Sequence, residues 1–200
     1  IEGLLAVGTA RKAVTEKVET HLIDKANDTA EIIQGRVTAL FQFIQGISRM
    51  PVFTNEAISF TEKMAALQKE VAFNTVLHEA VITDAHGSMY TKTGTAISVQ
   101  NSEWYQMAMS GKNFMTEPQE SLTDGRLILT FAVPIYNADH TIIGTIAAGV
   151  LAEWLSDAIA DIVVGKTGYC ILLQNDGMIL ADSKHPEFNF KTLKEVELYN

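Results

Sequence analysis

The first 50 residues contain no proline, and apolar side chains recur through them at steps of three and four. That spacing places the apolar side chains along one face of a continuous helix. The stripe consists of Val14, Val18, Leu22, Ala26, Ala30, Ile33, Val37, Leu40, Ile44 and Ile47. A helix over this stretch would be roughly 65 Å long, several times the usual length. Helices of this length are typical of coiled coils, membrane spans and struts between modules, and the charged residues on the opposite face exclude a membrane span.

The sequence around Pro51 predicts the end of this helix, because a proline disfavours the helical conformation of the residue before it. A second helix follows, with Thr54 or Asn55 as its expected N-cap. Its apolar stripe consists of Phe60, Met64, Leu67 and Val71. This spacing is typical of a helix that packs one face on a core.

After Phe73 the apolar period changes to the alternation of β-strands. Predicted strands span 79–83, 88–92, 126–135, 141–151, 169–174 and 178–181, short helices span 103–110 and 153–162, and 93–101 is expected to be irregular. Turn-forming residues at 84–87, 123–125 and 175–177 join successive strands. Strands joined by tight turns pair antiparallel, so the sequence predicts an α+β fold in which the long N-terminal helix packs on an antiparallel sheet.

The composition excludes several classes of function. The 24 acidic and 15 basic residues give a net charge of −9, which disfavours nucleic acid and anionic lipid as partners. The single cysteine, Cys170, excludes an internal disulfide. The histidines lack metal-ligand spacing and no nucleophile motif occurs, so we expect neither enzyme activity nor a metal or cofactor. No stretch reaches the roughly 20 consecutive apolar residues of a membrane span, and we expect the chain to be part of a longer protein.

The two longest predicted strands each have a bulky face and a face of small side chains. The small face carries Thr130, Ala132, Thr145, Ala147 and Gly149. If these faces align, one side of the sheet is shallow, and something must fill the space above it. A closely packed helix would do so, and so would a ligand held under Trp104 and Tyr105, whose large rings suit the wall of a pocket.

The order of these elements resembles that of the double Cache sensor domains of bacterial chemoreceptors and sensor kinases. The resemblance is carried by the Trp-Tyr-x-x-Ala segment at 104–108, the hairpin pieces at 123–127 and 131–136, the strand at 144–149 and the segments at 165–169 and 175–177. Their order and spacing together are more specific than any one of them.

The resemblance implies extracytoplasmic sensing of a small molecule. Residues 1–50 would be a stalk helix, 51–162 a membrane-distal PAS-like module that binds the ligand, and 163–200 the start of a second, membrane-proximal PAS-like module. The segment would be periplasmic or extracellular, with membrane spans outside it and a homodimer formed through the long helix. The output would be that of a chemoreceptor, a histidine kinase or a diguanylate cyclase. A dimerisation module without a ligand of its own is the alternative.

Two departures from the family pattern bear on the ligand. Ser102 stands where the amino-acid-binding branch has an arginine for the ligand carboxylate, and Gly149 stands where it has an aspartate for the ammonium. Without these charges an α-amino acid would be buried unpaired, at a cost on the order of several kcal/mol. The resemblance therefore predicts a ligand other than an ordinary α-amino acid. Its expected contacts are Ser102, Trp104 and Tyr105, with Tyr90, Thr130 and Gly149.

Overall fold

A computed structural model describes residues 2–94 and 96–196, with side chains from residue 12 onward. The helices are α1 (Glu2–Ser48), α2 (Pro51–Thr54), α3 (Phe60–Val71), α4 (Glu103–Met109) and α5 (Trp154–Ile159), with a 3₁₀ turn at Pro186–Phe188. The strands are β1 (Leu77–Asp84), β2 (Ser88–Tyr90), β3 (Ala96–Ser98), β4 (Phe114–Met115), β5 (Gln119–Glu120), β6 (Leu127–Tyr136), β7 (Ile142–Leu151), β8 (Val163–Val164), β9 (Gly168–Tyr169), β10 (Ile171–Leu173) and β11 (Ile179–Asp182).

The chain divides into two compact units. One consists of Val37–Trp154, and the other of Ile1–Arg36 together with Leu155–Asn200. The second unit contains two small antiparallel pairs, β8 with β9 and β10 with β11. The last four residues of the predicted 163–200 module lie outside the described part of the chain, and the module boundary at 163 stays a prediction.

The continuous N-terminal helix is confirmed, since α1 extends without a break to Ser48. Its apolar stripe is buried at the C-terminal end, where Val37, Leu40, Ile44 and Ile47 are at most 9% exposed. Toward the N-terminus the stripe is open, and Val14, Val18 and Leu22 are between 46% and 63% exposed.

The sheet of the Val37–Trp154 unit is antiparallel throughout, in the order β3-β2-β1-β7-β6-β4, with β5 also paired to β6. This confirms the α+β class. The expectation that 93–101 is irregular was wrong in part, because Ala96–Ser98 pairs with β2 as an edge strand. Strands β4 and β5 were also missed, since a two-residue strand is too short to show alternation.

The N-cap of α3 lies later than the sequence suggested. Thr54 belongs to α2, and Ser59 caps α3 through a reciprocal capping box with Glu62. The Ser59 hydroxyl accepts from the Glu62 amide at 3.3 Å, and the Glu62 carboxylate accepts from the Ser59 amide at 3.2 Å. The backbone amides of Ser59 and Glu62 would otherwise have no helical acceptor. A capping box satisfies both amides, whereas a lone cap residue satisfies one, so the helix begins at the capping box. The hydrogen bonds from Ser59, the side-chain one first, hold the pKa of Glu62 below its usual value.

The bulky faces of β6 and β7 form the core. Their register pairs Leu129 with Val150 and Val133 with Ile146. The Phe131 ring, which is fully buried, meets Phe41 of α1 edge to face with the ring centroids 5.2 Å apart. This contact places the long helix on the bulky side, so that the opposite, small-residue side is free to form a site.

We expect Phe131→Ala to lower the free energy of unfolding by about 3–5 kcal/mol, because it removes a fully buried ring and leaves a cavity. Phe73→Ala is the matched control, since Phe73 is 82% exposed and its replacement should change stability by about 0.5 kcal/mol or less. Thermal unfolding followed by circular dichroism measures both. Equal effects of the two substitutions would contradict this core.

Candidate functional site

A cavity of about 100 Å³ lies on the small-residue face of the sheet. Its lining residues come from β1, β2, α4, β5, the loop after β5, β6 and β7. They are Glu79, Val81, Met89, Ser102, Trp104, Gln119, Glu120, Ser121, Leu122, Thr123, Ile128, Thr130, Ala147 and Gly149. All of them belong to the Val37–Trp154 unit.

Strand register creates the depth of this cavity. Thr130 of β6 pairs with Gly149 of β7, and Gly149 pairs on its other side with Glu79 of β1. Directly paired residues have side chains on the same face of a sheet. A glycine between two side chains leaves a depression in the floor, as the sequence predicted for an aligned small face.

Helix α4 covers the neighbouring part of that face. Its residues Trp104, Tyr105 and Ala108 pack in one buried cluster with Ala132 and Ala147. The alternative of a closely packed helix is therefore realised in part, whereas a ligand under Trp104 stays a prediction. The helix packs closely over the alanines, and the cavity remains over Thr130 and Gly149.

Four of the six predicted site residues line the cavity: Ser102, Trp104, Thr130 and Gly149. The structure thus brings together residues from α4 and its N-cap, β6 and β7. The Trp104 side chain is only 5% exposed, so its ring closes the cavity rather than facing solvent. Their role in binding a ligand stays a prediction.

Tyr90 and Tyr105 are not among the residues that line this cavity, and contact of either with a ligand stays a prediction. Successive residues of a strand point to opposite faces, and Met89 takes the cavity side, so Tyr90 cannot. Tyr90 instead stacks on Phe60, with the ring centroids 4.0 Å apart. Successive helical residues diverge by about 100°, which separates Tyr105 from Trp104 in the same way.

Both tyrosines converge on Asp84 at the end of β1. The Tyr105 hydroxyl donates to the Asp84 carbonyl and the Tyr90 hydroxyl donates to its carboxylate, each at 3.4 Å. Burial, with Asp84 nearby, raises the pKa of each tyrosine hydroxyl. Burial alone would raise the pKa of Asp84, but the hydrogen bonds from Ser88 and His86 outweigh it and hold that pKa below its usual value. Asp84 therefore stabilises the β1–β2 turn as an anion.

Among the lining residues that the sequence reasoning missed, Glu79 lies beside Gly149. A Cβ built on Gly149 would lie 2.8 Å from Glu79 Cγ and 3.2 Å from its Oε1. The Glu79 side chain therefore fills the space that a larger residue at 149 would take. Alternation along 79–83 would have placed Glu79 on the same face as Val81, but only the register beside Gly149 places its carboxylate in the cavity.

Two hydroxyls from the loop after β5 engage this carboxylate. Ser121 donates to Glu79 Oε1 at 2.8 Å, and Thr123 donates to Oε2. The two hydroxyls also contact each other at 2.9 Å. Residues 121–126 form a tight turn, in which the Ser121 amide donates to the Arg126 carbonyl at 2.8 Å.

The preceding residue of β1 binds the same loop. His78 Nε2 lies 2.7 Å from Asp124 Oδ2, and the β1–β7 register shifts at this point, between Leu77 and Glu79. The hydrogen bond with His78, followed by that from the Arg126 amide, lowers the pKa of Asp124. The loop that borders the cavity is thus fastened to β1 at two successive residues.

Within the described residues, His78, Glu79 and Asp124 form one group with metal-ligand chemistry, with ligand atoms within 4.8 Å of one another. Sequence spacing did not indicate it, because Asp124 comes from a distant loop. The hydrogen bonds just described account for the arrangement without a metal ion.

The lining of the cavity is acidic. Glu79 and Glu120 are its ionisable side chains, and no lysine or arginine lines it among the side chains that the structure describes. A second cavity of about 370 Å³ shares Glu79, Val81, Leu122 and Thr123 with the first, and Lys92 lines this second cavity.

A family model described as Cache domain matches residues 7–199, nearly the whole chain. The chain belongs to the Cache domain family. This confirms the resemblance that the sequence carried. A stretch of 83 residues, 40% of this chain, is also 30% identical to the methyl-accepting chemotaxis protein TlpA of Bacillus subtilis, of which it covers 12%.

Solved chemoreceptor ligand-binding domains share the fold of this Cache domain. That of Campylobacter jejuni Tlp3 with 4-methylisoleucine superposes with a TM-score of 0.70 at 16% identity, covering 88% of this chain and 73% of the other. The ligand-binding domain of Pseudomonas fluorescens CtaA with L-isoleucine superposes with a TM-score of 0.73 at 21% identity, covering 94% of this chain and 77% of the other. The ligand-binding domain of Pseudomonas aeruginosa PctB with L-Arg superposes with a TM-score of 0.69 at 20% identity, covering 90% of this chain and 77% of the other. Among the described residues of this Cache domain, no helix is both long and apolar enough to cross a membrane.

We expect Gly149→Ala to destabilise the Cache domain by about 1–3 kcal/mol, because the new methyl group would overlap Glu79. In a Glu79→Ala background the same substitution should cost less, since the closest obstructing side chain is gone and Ile128 Cδ1, at 3.0 Å, remains near the new methyl group. Thermal unfolding of the four proteins of this cycle measures the coupling. Additive effects would show that Glu79 does not occupy the space over Gly149.

We expect Asp84→Asn to be less stable than the wild type near neutral pH, because the anion makes stronger hydrogen bonds than the amide. The folded-state pKa of Asp84 is lowered, so this advantage is present above the unfolded-state pKa and is lost as the pH falls through the folded-state value. The difference in melting temperature should shrink from pH 7 to pH 3. A difference independent of pH would contradict this role.

Proposed function

We propose that this Cache domain is the sensor domain of a membrane-spanning signal transducer and that it binds a small molecule in the cavity closed by Trp104. The observation that carries the proposal is the cavity itself. Small side chains at Thr130 and Gly149 leave space beside a buried indole, and hydroxyl, amide and carboxylate groups line the same space. An apolar wall with a few converging polar groups is typical of a small-molecule site.

We propose the output of a chemoreceptor, supported by the likeness to methyl-accepting chemotaxis protein TlpA and to chemoreceptor ligand-binding domains. A histidine kinase or a diguanylate cyclase is the alternative output. The segment would be periplasmic or extracellular and would bind its ligand without converting it. In this scheme residues 1–50 are the stalk, 51–162 the ligand-binding module and 163–200 the start of the proximal module, with membrane spans outside 1–200.

The charge of the cavity bears on the ligand. The solved relatives carry 4-methylisoleucine, L-isoleucine and L-Arg, but at 16–21% identity they share the fold and not necessarily the contacts. A ligand carboxylate in this cavity would face Glu79 and Glu120 without a lysine or arginine in the lining. An unpaired buried charge costs on the order of several kcal/mol. We therefore propose that the ligand is not an ordinary α-amino acid.

Dimerisation is the second candidate function, and it is compatible with sensing. The exposed part of the α1 stripe, with Val14, Val18 and Leu22, is a specific observation in its favour. We propose that this stripe forms a homodimer in the full-length protein, which would bury these side chains.

The sensor proposal predicts that a compound from a library of amines, carboxylic acids, amino acids and sugars will raise the melting temperature saturably. Thr130→Leu should weaken that compound at least tenfold, because the longer side chain enters the cavity. Thr141→Leu is the control, since Thr141 is exposed and is not part of the lining. If no compound stabilises the protein, or if Thr130→Leu binds it unchanged, the cavity is not the sensing site.

The dimer proposal predicts that Leu22→Lys lowers the dimer fraction of the full-length receptor in membranes, measured by cross-linking, because it places a charge in the apolar stripe. Thr20→Lys, on the exposed surface of the same helix, is the control. Unchanged cross-linking of Leu22→Lys would contradict a dimer through α1.

A further inference from the structure

We infer that the cavity selects a small organic cation, an amine without a neighbouring carboxylate, and that Glu79 binds its ammonium group. This rests on the proposed function, because it names the class of ligand for the same cavity. Four observations carry it: the position of the Glu79 carboxylate, its remaining capacity to accept hydrogen bonds, a lining without a lysine or arginine, and the place of Lys92 in the neighbouring cavity.

The Glu79 carboxylate is fixed at the floor of the cavity. It lies over Gly149, where any side chain would overlap it, and two loop hydroxyls engage its oxygens. Its neighbour His78 is occupied by Asp124 and lines the adjacent cavity instead. A carboxylate held in place before binding loses little conformational entropy when a ligand arrives.

This carboxylate keeps room for a further donor. Its two oxygens offer about four lone-pair sites, and Ser121 and Thr123 use one on each oxygen. Both donors are neutral, and no cationic side chain in the lining balances the negative charge of Glu79. An ammonium group supplies both the charge and up to three donors.

The rest of the inner lining suits the alkyl part of an amine. Val81, Met89 and Ile128 are apolar, and Trp104 presents an indole, the aromatic ring that attracts cations most strongly. Ser102, Gln119 and Thr130 supply neutral polar groups. A volume of about 100 Å³ restricts the ligand to a small molecule.

A carboxylate on the ligand would find no partner in this cavity. Lys92 lines the second cavity and not the first, although the two cavities share Glu79 and Thr123. An α-amino acid bound to Glu79 would have to extend from the first cavity into the second to place its carboxylate at Lys92. The geometry therefore favours the decarboxylated form of such a molecule.

The test uses pairs that differ only by the carboxylate: ethanolamine and L-serine, isobutylamine and L-valine, cadaverine and L-lysine. Isobutanol replaces the ammonium of isobutylamine by a neutral group of the same size. Isothermal titration with the 1–200 protein should give saturable binding of at least one amine, with its amino acid and the neutral analogue at least tenfold weaker. If none of the three amines binds, the inference is overturned.

Variants then assign the ammonium contact. Glu79→Gln keeps the size of the side chain and should weaken the amine at least tenfold, whereas Glu117→Gln, at an exposed carboxylate outside the lining, should change its affinity less than threefold. The double variant Glu79→Ala with Gly149→Asp moves the carboxylate to the adjacent strand and should recover part of the binding. An unchanged affinity in Glu79→Gln overturns the assignment.

The failure of this inference can be told apart from failure of the proposed function. If a neutral compound or an amino acid binds and Thr130→Leu weakens it, the cavity senses a ligand but the selection for amines is wrong. Amino-acid binding that is lost in Lys92→Met would overturn the selection in the same way, because the carboxylate would then reach Lys92. If no class of compound binds, both proposals fail.

Discussion

The antiparallel pairing of β1, β7 and β6 places Glu79, Gly149 and Thr130 side by side, and the whole site depends on this register. A shift of one residue in either pair would turn these side chains to the opposite face of the sheet. The bulky face, fixed on α1 through Phe41 and Phe131, opposes such a shift because it would expose the core. The packing of the core thus determines the geometry of the cavity on the other side.

The small-residue face serves two purposes at once. Over Ala132 and Ala147 it lets α4 approach closely, and this packing fixes Trp104 at the edge of the remaining space. Over Thr130 and Gly149 the helix no longer fills the depression. Side chains that are already packed before binding lose less conformational entropy when a ligand arrives, and Trp104 is packed in this way.

A shared fold leaves the chemistry of the pocket open, because ligand recognition resides in a few side chains. The chemoreceptor domains that superpose on this chain are known with amino acids bound, while the cavity in this chain has an acidic lining without a lysine or arginine in its described part. Gly149 and Glu79 compete for one volume, so the carboxylate can come from either strand but not from both.

The sequence by itself determined the long helix, the antiparallel α+β sheet, the aligned small face and the position of Trp104 beside it, because periodicity and turn residues act over short stretches of chain. The Ser59 cap was missed although its Ser-x-x-Glu capping box is a local pattern. The sequence did not determine the divergence of Tyr90 and Tyr105 toward Asp84 or the placement of Glu79. These depend on which strand lies beside which, in what register, and on a loop that reaches back to β1 through Ser121 and Thr123. Only the tertiary structure decides such contacts, since they join residues that are 42 and 44 positions apart and no local pattern encodes their pairing.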